Sequence, residues 1–497
     1  MKILVFSPLA AVWRPRLPTL LSVAQTHIEA GDDVMIVNCD RSVRACTANF
    51  DQSGAICAYC IQKRDQGLRL LEGRFRTASL NDFIAPARRQ ELLDSSDGLA
   101  TLDDLRALRH DTADIGYAAY SVYAYVARKP VPNLTSATVR RTIQQLANAG
   151  KVVYEATLAA IAAERPDRVV IHHGRGEIDR AVLRACQRAR VDCWIYETAF
   201  RLNQLICFRN ALPHDIDNFK RRVDSQWEDG PANRAEIGAA FFEMRRSGGR
   251  KIHADGLDLE TQDRQFVASQ RPATLPANWD ASRKNIVIYG SSNDEFIAVS
   301  PDYEERIHGS QVEALDRLSR DLADDAAIHL YFRVHPRQKG VKDAYLNELL
   351  ELDRTRANVT IIPADSSVSS YALLDGAATI LAFHSTMAIE AAYWGKPSII
   401  ISASIYKPMG ASYAPSSHEE LLSLIRSNPP PKDRLPALKF GFYQMTSGFT
   451  QPHFGGDLGK GRSGYTFRND PIHVAGWTRW RYFWSRERQR VKWRSLV

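Results

Sequence analysis

The fold is decided by five short apolar segments in the second half of the chain: NIVIYGSS (285–292), IHLYFRVHP (328–336), VTIIP (359–363), TILAFHS (379–385) and PSIIIS (397–402). Four amphipathic stretches with helical spacing separate them, beginning with QVEALDRLSRDLA (311–323). Alternation of apolar strands with amphipathic helices is typical of a doubly wound unit built on a parallel sheet.

The first half of the chain has the same alternation in a less regular form. Strand KILVFSP (2–8), a helix over 17–31 and strand DVMIVNC (33–39) give a β-α-β beginning. After a helix-rich stretch, the pattern resumes with PDRVVIHHG (166–174), a helix, and DCWIYE (192–197). We therefore expect an α/β protein with two Rossmann-type units.

The length of 497 residues also predicts two large domains, because a single core rarely grows beyond about 250–300 residues. Residues 210–280 are polar and weakly periodic, so the junction is placed near QRPATLPANW (270–279). The predicted domains are 1–275, with a cysteine-bearing loop (39–60) and a helical insert, 276–430, and an extension with a basic aromatic tail, 431–497.

Charge and composition narrow the classes of partner. Sixty-five basic and 57 acidic residues give a net charge of +8, which suits anionic ligands such as nucleotide phosphates or a lipid surface. No RNA-binding, recognition-helix or zinc-finger pattern is present, so no nucleic acid partner is expected. The opening MKILVFSPLAA contains an apolar run that is too short for a signal peptide. No stretch approaches the roughly 20 apolar residues that a membrane-spanning helix needs. A cytoplasmic location is therefore expected.

Polar residues directly after strands are candidates for ligand contact, since ligands of open α/β sheets bind beyond the carboxyl ends of the strands. After the first strand of the second half, Ser291 and Ser292 offer hydroxyls and Glu295 follows. A phosphate or ribose is expected to bind there. An ordinary polar turn is the alternative interpretation.

The second strand end carries a histidine and two cations. His335 ends the strand, Pro336 directs the backbone out of the sheet, and Arg337 and Lys339 add positive charge that suits a pyrophosphate. A structural or merely exposed histidine is the alternative.

The third strand end opens a helix. His384 ends a buried strand, Ser385 and Thr386 stand at the helix start, where free amides favour an anion, and Glu390 is placed to accept hydrogen bonds from ribose hydroxyls. A simple helix cap with a solvated glutamate is the alternative. Three polar strand ends in one doubly wound unit favour a nucleotide site.

The run from IVIYGSSNDEF (286–296) through FRVHPRQ (332–338) and VSSYALLDGA (368–377) to HSTMAIEAAYWGKPSI (384–399) resembles bacterial capsule-polysaccharide biosynthesis glycosyltransferases. These are similar to the HP-motif enzymes that include polysialyl- and Kdo-transferases. The resemblance covers roughly 285–425.

The resemblance implies a GT-B-like fold, with two Rossmann-type domains facing across a cleft, the first for the acceptor and the second for the donor. It also implies that His335, His384 and Ser385 bind the phosphates of the donor nucleotide. Several relatives carry a serine pair where this chain has Ser385 and Thr386.

The first half resembles the same family more weakly, through IHHGRGEIDRAVLRACQRARV (171–191) and YETAF, which replaces a His-Glu-Arg-Gly-like tetrad. Inverting glycosyl transfer needs a base that deprotonates the acceptor hydroxyl. The candidates are Glu177, Glu197 and His173, and Arg175 is predicted to contact the acceptor. Acidic residues that only stabilise a helix N-terminus are the alternative for Glu177.

Metal ions enter the sequence prediction at two points. No Asp-x-Asp follows a predicted strand, so catalysis is expected to be independent of metal and to require no cofactor. Cys39, Cys46, Cys57 and Cys60 lie between the second strand and the next helical stretch. Four thiolates can enclose zinc, so a structural zinc site and unliganded thiols both stay open.

The sequence therefore predicts a glycosyltransferase that moves a sugar from a nucleotide-activated donor to a growing or lipid-linked surface polysaccharide. A UDP-sugar epimerase of the same two-domain fold and a non-catalytic polysaccharide-assembly protein are the alternatives.

The basic aromatic tail (476–497) supports two hypotheses. Trp477, Trp480, Trp484 and Val491 fall on one helical face, which suits peripheral contact with the inner membrane. The other hypothesis is a helix packed back on the first domain.

Overall fold

The computed structural model describes residues 1–7, 9, 15–201, 203–247, 274–304, 307–340, 344–457, 464–474 and 476–495. Two compact units make up this part of the chain. Described residues up to 213 and from 448 onward form the first unit, and those from 214 to 447 form the second.

A seven-stranded sheet with the order β12-β6-β5-β4-β1-β2-β3 forms the centre of the first unit. Strands β1 to β5 pair in parallel, whereas β6 and β12 are antiparallel to their neighbours. Ile3 to Phe6 are fully buried, as expected of a parallel strand covered on both faces. The strands are β1 (Lys2–Phe6), β2 (Asp33–Asn38), β3 (Arg76–Ser79), β4 (Arg168–His172), β5 (Asp192–Thr198), β6 (Gln204–Arg209) and β12 (Phe449–Thr450).

Helices and a hairpin complete the first unit. The longest helix, α6, begins after Ser136, whose hydroxyl accepts from the amide of Val139 (3.5 Å), and ends at Arg165 in the left-handed conformation. The elements are α1 (Arg16–Glu29), α2 (Gly54–Leu68), α3 (Pro86–Asp94), α4 (Leu102–Ala107), α5 (Ile115–Ala127), α6 (Ala137–Glu164), α7 (Glu177–Ala189), the hairpin β13 (Phe454–Asp457) and β14 (Gly464–Phe467), and α17 (Trp477–Ser495).

A five-stranded parallel sheet with the order β11-β10-β7-β8-β9 forms the centre of the second unit. Its core includes Ile286, Ile288, Leu330, Phe332 and Leu381, all of which are buried. The strands are β7 (Lys284–Tyr289), β8 (Ile328–Arg333), β9 (Val359–Ile362), β10 (Thr379–Ala382) and β11 (Ser398–Ile400). These strands match the five apolar segments of the sequence.

The helices of the second unit include a close crossing of α9 and α16. Gly238 and Gly441 form it, since a Cβ on Gly441 would lie 2.2 Å from the carbonyl oxygen of Gly238, a separation that only glycine tolerates. The helices are α8 (Ile216–Glu228), α9 (Arg234–Arg246), α10 (Asn293–Phe296), α11 (Gln311–Asp321), α12 (Ala344–Thr355), α13 (Ser370–Gly376), α14 (Met387–Tyr393), α15 (His418–Ser427) and α16 (Leu435–Thr446).

The predicted α/β class with two Rossmann-like units is confirmed by the two sheets, but the compact units differ from the predicted domain limits. Helices α8 and α9, predicted to belong to residues 1–275, belong to the second unit, because Phe219 and Phe241 pack on Phe440 of α16. The predicted extension 431–497 is divided between the units, with α16 in the second and α17 in the first. None of the described helices is long and apolar enough to cross a membrane.

Candidate functional site

The carboxyl ends of β7, β8 and β10 lie side by side in the second sheet. Tyr289 at the end of β7 is paired with Arg333 at the end of β8 and with Ala382 at the end of β10. The three polar segments that follow these strands therefore start at the same edge of the sheet. This is the edge at which parallel α/β sheets bind ligands.

The loop after β7 contacts the loops after the other two strands. Glu295 of α10 forms an ion pair with Arg337, which follows β8. The ring of Phe296 stacks on the ring of His384, which follows β10, with 5.1 Å between centroids. The three predicted strand-end segments thus form one continuous surface in the second unit.

Ser291 and Ser292 are both buried at this edge. The side chain of Gln311 in α11 holds Ser291 in place. Its Oε1 accepts a hydrogen bond from the backbone N–H of Ser291 (3.1 Å), and its Nε2 donates one to the hydroxyl of Ser291 (2.9 Å). The preceding Gly290 passes close to Phe332, and a Cβ there would lie 2.9 Å from the Phe332 ring. The turn is therefore held rigidly beside the strand ends.

His335 follows β8 with a defined ring orientation. Its Nδ1 accepts a hydrogen bond from the backbone N–H of Arg337 (3.3 Å). An imidazole that accepts at Nδ1 carries its proton on Nε2, so Nε2 of His335 is a hydrogen-bond donor. Arg337 is about one-third exposed and ion-paired with Glu295, so the exposed Lys339 supplies the net positive charge next to this donor.

His384 is buried between aromatic side chains. It is 7% exposed, and its ring lies against Phe296 and Tyr303. Burial lowers the pKa of His384 to about 4, so the ring is neutral near pH 7. Among the described residues its buried Nδ1 has no hydrogen-bond partner. A buried polar atom without a partner destabilises the folded state, and a ligand that hydrogen-bonds to Nδ1 would remove this cost.

The segment after His384 is tied into the second unit by hydrogen bonds. The hydroxyl of Ser385 accepts from the amide of Met387 (3.3 Å), and the hydroxyl of Thr386 donates to Glu390 (2.9 Å). The carbonyl of Ser385 accepts from the hydroxyl of Tyr406. These bonds fix the backbone of the predicted phosphate-binding segment.

Glu390 is fully buried and its carboxylate has several protein partners. Besides Thr386, it accepts hydrogen bonds from Nε of Arg245 (3.0 Å) and from the hydroxyl of Tyr371. The predicted contact between Glu390 and a ribose stays a prediction. In this structure its carboxylate joins α9, α13 and α14.

Two charged residues beside this edge are not among the predicted site residues. Arg333, the last residue of β8, is buried and donates to the carbonyls of Pro363 (2.6 Å) and Ser366 (3.3 Å). Arg245 reaches Glu390 from a helix 145 residues earlier in the chain. The position of Arg333 at a strand end is visible in the sequence, whereas nothing in the sequence signals the role of Arg245.

In the first unit, His173 and Glu197 form a pair at the ends of β4 and β5. Nδ1 of His173 contacts the carboxylate of Glu197, and both side chains are 21% exposed. His173 has a φ of 71°, a conformation that non-glycine residues adopt at a cost and that is frequent at functional sites. A carboxylate on one ring nitrogen holds the imidazole in one orientation, the arrangement in which histidine bases are found in enzymes.

The third predicted base, Glu177, lies in a different environment. It is fully buried, and its carboxylate accepts from the amide (2.9 Å) and the hydroxyl (2.6 Å) of Thr47. Burial raises its pKa. Nearby Arg175 is mostly buried and donates through Nε to the hydroxyl of Ser121. The structure therefore brings together two of the three predicted bases, His173 and Glu197, as one pair.

His172 precedes this pair and is not among the predicted residues. Its side chain is 1% exposed, and within the described part of the chain neither ring nitrogen has a hydrogen-bond partner. Burial lowers the pKa of His172 to about 3. Two adjacent histidines therefore have contrasting environments at the end of β4.

Cys39, Cys46, Cys57 and Cys60 line one small cavity in the first unit. The side-chain amide of Asn49 donates to the sulfur of Cys57 (3.3 Å), and burial raises the pKa of Cys46 well above its ordinary value. Over the described ranges, no three His, Cys, Asp or Glu side chains are placed to hold a metal ion. Structural zinc stays a prediction.

Buried histidines make the second unit sensitive to acid. Burial lowers the pKa of both His308 and His384 to about 4, below the value of about 6.5 in an unfolded chain. As the pH falls, the unfolded state binds protons at a higher pH than the folded state does. The contribution of these neutral histidines to the free energy of unfolding is therefore present above about pH 6.5 and is lost between about pH 6.5 and 4. We expect each histidine to contribute about 2–3 kcal/mol of this loss at pH 4.5, measured by urea unfolding.

A His308→Gln variant tests this expectation, because glutamine is neutral at every pH. His308 accepts from or donates to His418, which in turn contacts Asp321, both at 2.8 Å. The variant should lose less stability than the wild type between pH 7.5 and 4.5. An identical loss in both proteins would contradict the assigned cause.

Comparisons with known proteins give similarities to solved structures only. No family model matches the chain, and no curated protein matches it. A beta Kdo 2,4 transferase, KpsC of Thermosulfurimonas dismutans, matches at 12% identity over 61% of this chain and 85% of that chain, with a TM-score of 0.36.

Two further matches cover more of the chain. A Methanocaldococcus jannaschii UDP-GlcNAc 2-epimerase, solved with UDP-GlcNAc and UDP, matches at 12% identity over 88% of this chain and 98% of that chain, with a TM-score of 0.27. The Streptomyces sp. SF2575 glycosyltransferase SsfS6, solved with thymidine diphosphate, matches at 11% identity over 90% and 96%, with a TM-score of 0.23. Identities and TM-scores this low do not assign an activity to this chain.

Proposed function

We propose that the protein is a GT-B type glycosyltransferase that takes its sugar from a nucleotide-activated donor bound by the second unit. One observation supports the donor site above all others. Strands β7, β8 and β10 end at paired positions, so the three polar loops that follow them begin at one edge of the sheet. Helix α10 contacts the loop that carries His335 and the loop that carries His384.

The chemistry of this edge suits a nucleotide phosphate. Nε2 of His335 is a hydrogen-bond donor and Lys339 adds positive charge, while Arg337 shares its charge with Glu295. His384 is neutral, and its buried Nδ1, which has no hydrogen-bond partner among the described residues, offers a hydrogen-bonding site to the ligand. Donors and cations aimed at the phosphates stabilise the charge that develops on the leaving nucleotide.

The remaining predicted donor residues have supporting roles in this proposal. The hydroxyls of Ser291 and Ser385 each accept one hydrogen bond within the unit, and in this proposal they and the hydroxyl of Ser292 donate to the phosphates or the ribose. Thr386 and Glu390 hold the segment after His384 in place. The transfer proceeds without a divalent metal in this proposal, because His335, Arg337 and Lys339 take over charge stabilisation.

His173 is the proposed base for the acceptor. In an inverting transfer, Nε2 of His173 takes the proton of the acceptor hydroxyl, the hydroxyl oxygen attacks the anomeric carbon, and the nucleotide leaves. Glu197 holds the imidazole at Nδ1 and stabilises the imidazolium. In this proposal Arg175 contacts the acceptor, and Glu177 lies near Arg175 in the first unit. The acceptor is a growing or lipid-linked surface polysaccharide.

A thermal-shift screen of nucleotide sugars tests the donor site. We expect one nucleotide class to raise the melting temperature of the wild type. With His335→Ala or His384→Ala the rise should be less than half as large, because each variant lacks a side chain that hydrogen-bonds the ligand. His329→Ala serves as the matched control, since His329 lies at the amino end of β8 and contacts Thr360 (2.8 Å).

Equal stabilisation of the wild type and both variants would contradict this donor site. With the stabilising nucleotide sugar in hand, product formation distinguishes the alternatives. Turnover without any glycan would identify an epimerase, and binding without turnover over a panel of glycan acceptors would identify a non-catalytic assembly protein.

A further inference from the structure

Helix α17 packs on the first unit through one narrow face. Tyr482 stacks on Tyr59 of α2 with 4.0 Å between ring centroids. Trp493 is 2% exposed and meets the ring of Phe50 edge-on at 5.4 Å. At the surface, Lys492 forms an ion pair with Asp51 (2.7 Å). The helix therefore has a fixed orientation on the first unit.

The opposite face of α17 presents large apolar side chains to solvent. Trp477 is 67% exposed, Trp480 and Trp484 are each 53% exposed, and Val491 is 59% exposed. The three tryptophan rings follow one another along the helix, with centroids 4.8 Å and 6.1 Å apart. At about 100° per residue, all four lie roughly opposite Tyr482.

This exposed face, defined by Trp477, Trp480, Trp484 and Val491, differs from the rest of the described surface. Phe483, which is 53% exposed, adjoins this face, whereas exposed large apolar side chains outside α17, such as Val131 and Leu350, stand singly in the sequence, which is normal for a protein surface. Three neighbouring exposed tryptophans require an explanation, because clustered apolar side chains mark interaction sites.

Basic residues border the exposed face on one side. Helix α17 carries seven basic residues and one acidic residue. By helical position, Arg481 and Arg488 border the exposed face on one side. On the other side Glu487 lies nearest, ion-paired with Arg490 (3.7 Å), and Arg479 lies further round the helix, beyond Phe483. Two copies of this chain would bring like charges together, which disfavours a dimer through this face. The charge pattern favours an anionic partner.

We propose that α17 is a pre-folded docking element for an anionic lipid surface. The tryptophans enter the region between headgroups and acyl chains, where tryptophan is favoured, while the flanking arginines remain at the level of the anionic headgroups. Because the packing of Tyr482 and Trp493 already holds the helix, little ordering accompanies binding. This inference rests on α17 and is independent of the proposed enzymatic activity.

Vesicle flotation with the full-length protein tests the proposal. The wild type is expected to bind vesicles of equal parts phosphatidylcholine and phosphatidylglycerol at least about tenfold more tightly than pure phosphatidylcholine vesicles. The triple variant Trp477→Ser, Trp480→Ser, Trp484→Ser is expected to lose at least about tenfold in binding to the mixed vesicles. Its matched control, Val131→Ser with Leu350→Ser, removes exposed apolar side chains elsewhere and should bind like the wild type.

A second variant keeps the fold and the tryptophans. Arg481→Gln with Arg488→Gln should weaken binding to the mixed vesicles by about tenfold or more and leave binding to phosphatidylcholine unchanged. Equal binding of the wild type to both vesicle types, or unchanged binding of the triple variant, would overturn the proposal. So would a wild type that binds no vesicles and forms dimers that the triple variant abolishes, since the face would then join two copies.

Discussion

Replacement of His173 by alanine is expected to lower kcat for sugar transfer by about 10²–10⁴-fold, the usual effect of removing a general base. The paired Glu197 orients the imidazole through Nδ1, so Glu197→Gln should reduce kcat as well. The measurement is steady-state turnover with the nucleotide sugar that stabilises the wild type. Binding of that nucleotide sugar in the thermal-shift assay should remain unchanged in both variants.

The control for this prediction is a second histidine–glutamate pair in the same unit. His110 contacts Glu155 at 3.0 Å and is 22% exposed, much like His173, but it does not lie at a strand end. His110→Ala should retain most of the activity. Full activity of His173→Ala would exclude His173 as the base, even if nucleotide binding at the second unit were established.

Replacement of Arg245 by alanine is expected to lower the free energy of unfolding by about 3 kcal/mol. Glu390 is 0% exposed and Arg245 is 22% exposed, so the variant leaves a buried carboxylate without its cation, which typically costs about 3–5 kcal/mol. The lower end of that range applies because solvent reaches part of Arg245. Urea unfolding measures the change.

Two further variants define the cause of that loss. Arg320→Ala removes an exposed i,i+4 partner of Asp316 in the same unit and should change the stability by less than about 0.5 kcal/mol. Glu390→Gln removes the buried charge, so the double variant with Arg245→Ala should be less destabilised than the sum of the two single variants. Additive effects would show that the two residues do not interact.

The second unit was predictable from sequence because each strand is a short apolar run with a polar end. The segments that start at Asn285, Ile328, Val359, Thr379 and Pro397 all became neighbouring strands. Burial on both faces of a parallel sheet disfavours polar side chains in a strand interior. A polar residue therefore marks the strand end, which is why the three candidate loops could be placed correctly at one edge.

Helices α8 and α9 could not be assigned to their unit from sequence. Helix α8 has few apolar side chains and α9 is weakly periodic, and their packing partner, α16, lies about two hundred residues further along the chain. The boundary near 275 followed composition, whereas the contacts of Phe219 and Phe241 with Phe440 determine the unit. Packing between distant segments leaves no local signal in the sequence.

The candidate site shows the same division between local and distant information. The histidines at 335 and 384 are visible because each directly follows a strand. The partners of Glu390 are not, since Arg245 and Tyr371 come from other helices. The sequence spacing identified Glu390 as a polar residue on the helix after His384. Only the structure shows which side chains donate hydrogen bonds to its carboxylate.

The first unit is completed by the last part of the chain. Strand β12 extends its sheet beside β6, and Tyr482 and Trp493 of α17 cover Tyr59 and Phe50. During synthesis on the ribosome, β7 to β11 of the second unit therefore emerge before the first unit receives its final strand and helix. Until then Tyr59 and Phe50 lack the cover of α17, and exposed aromatic surface of this kind makes a nascent domain prone to aggregation.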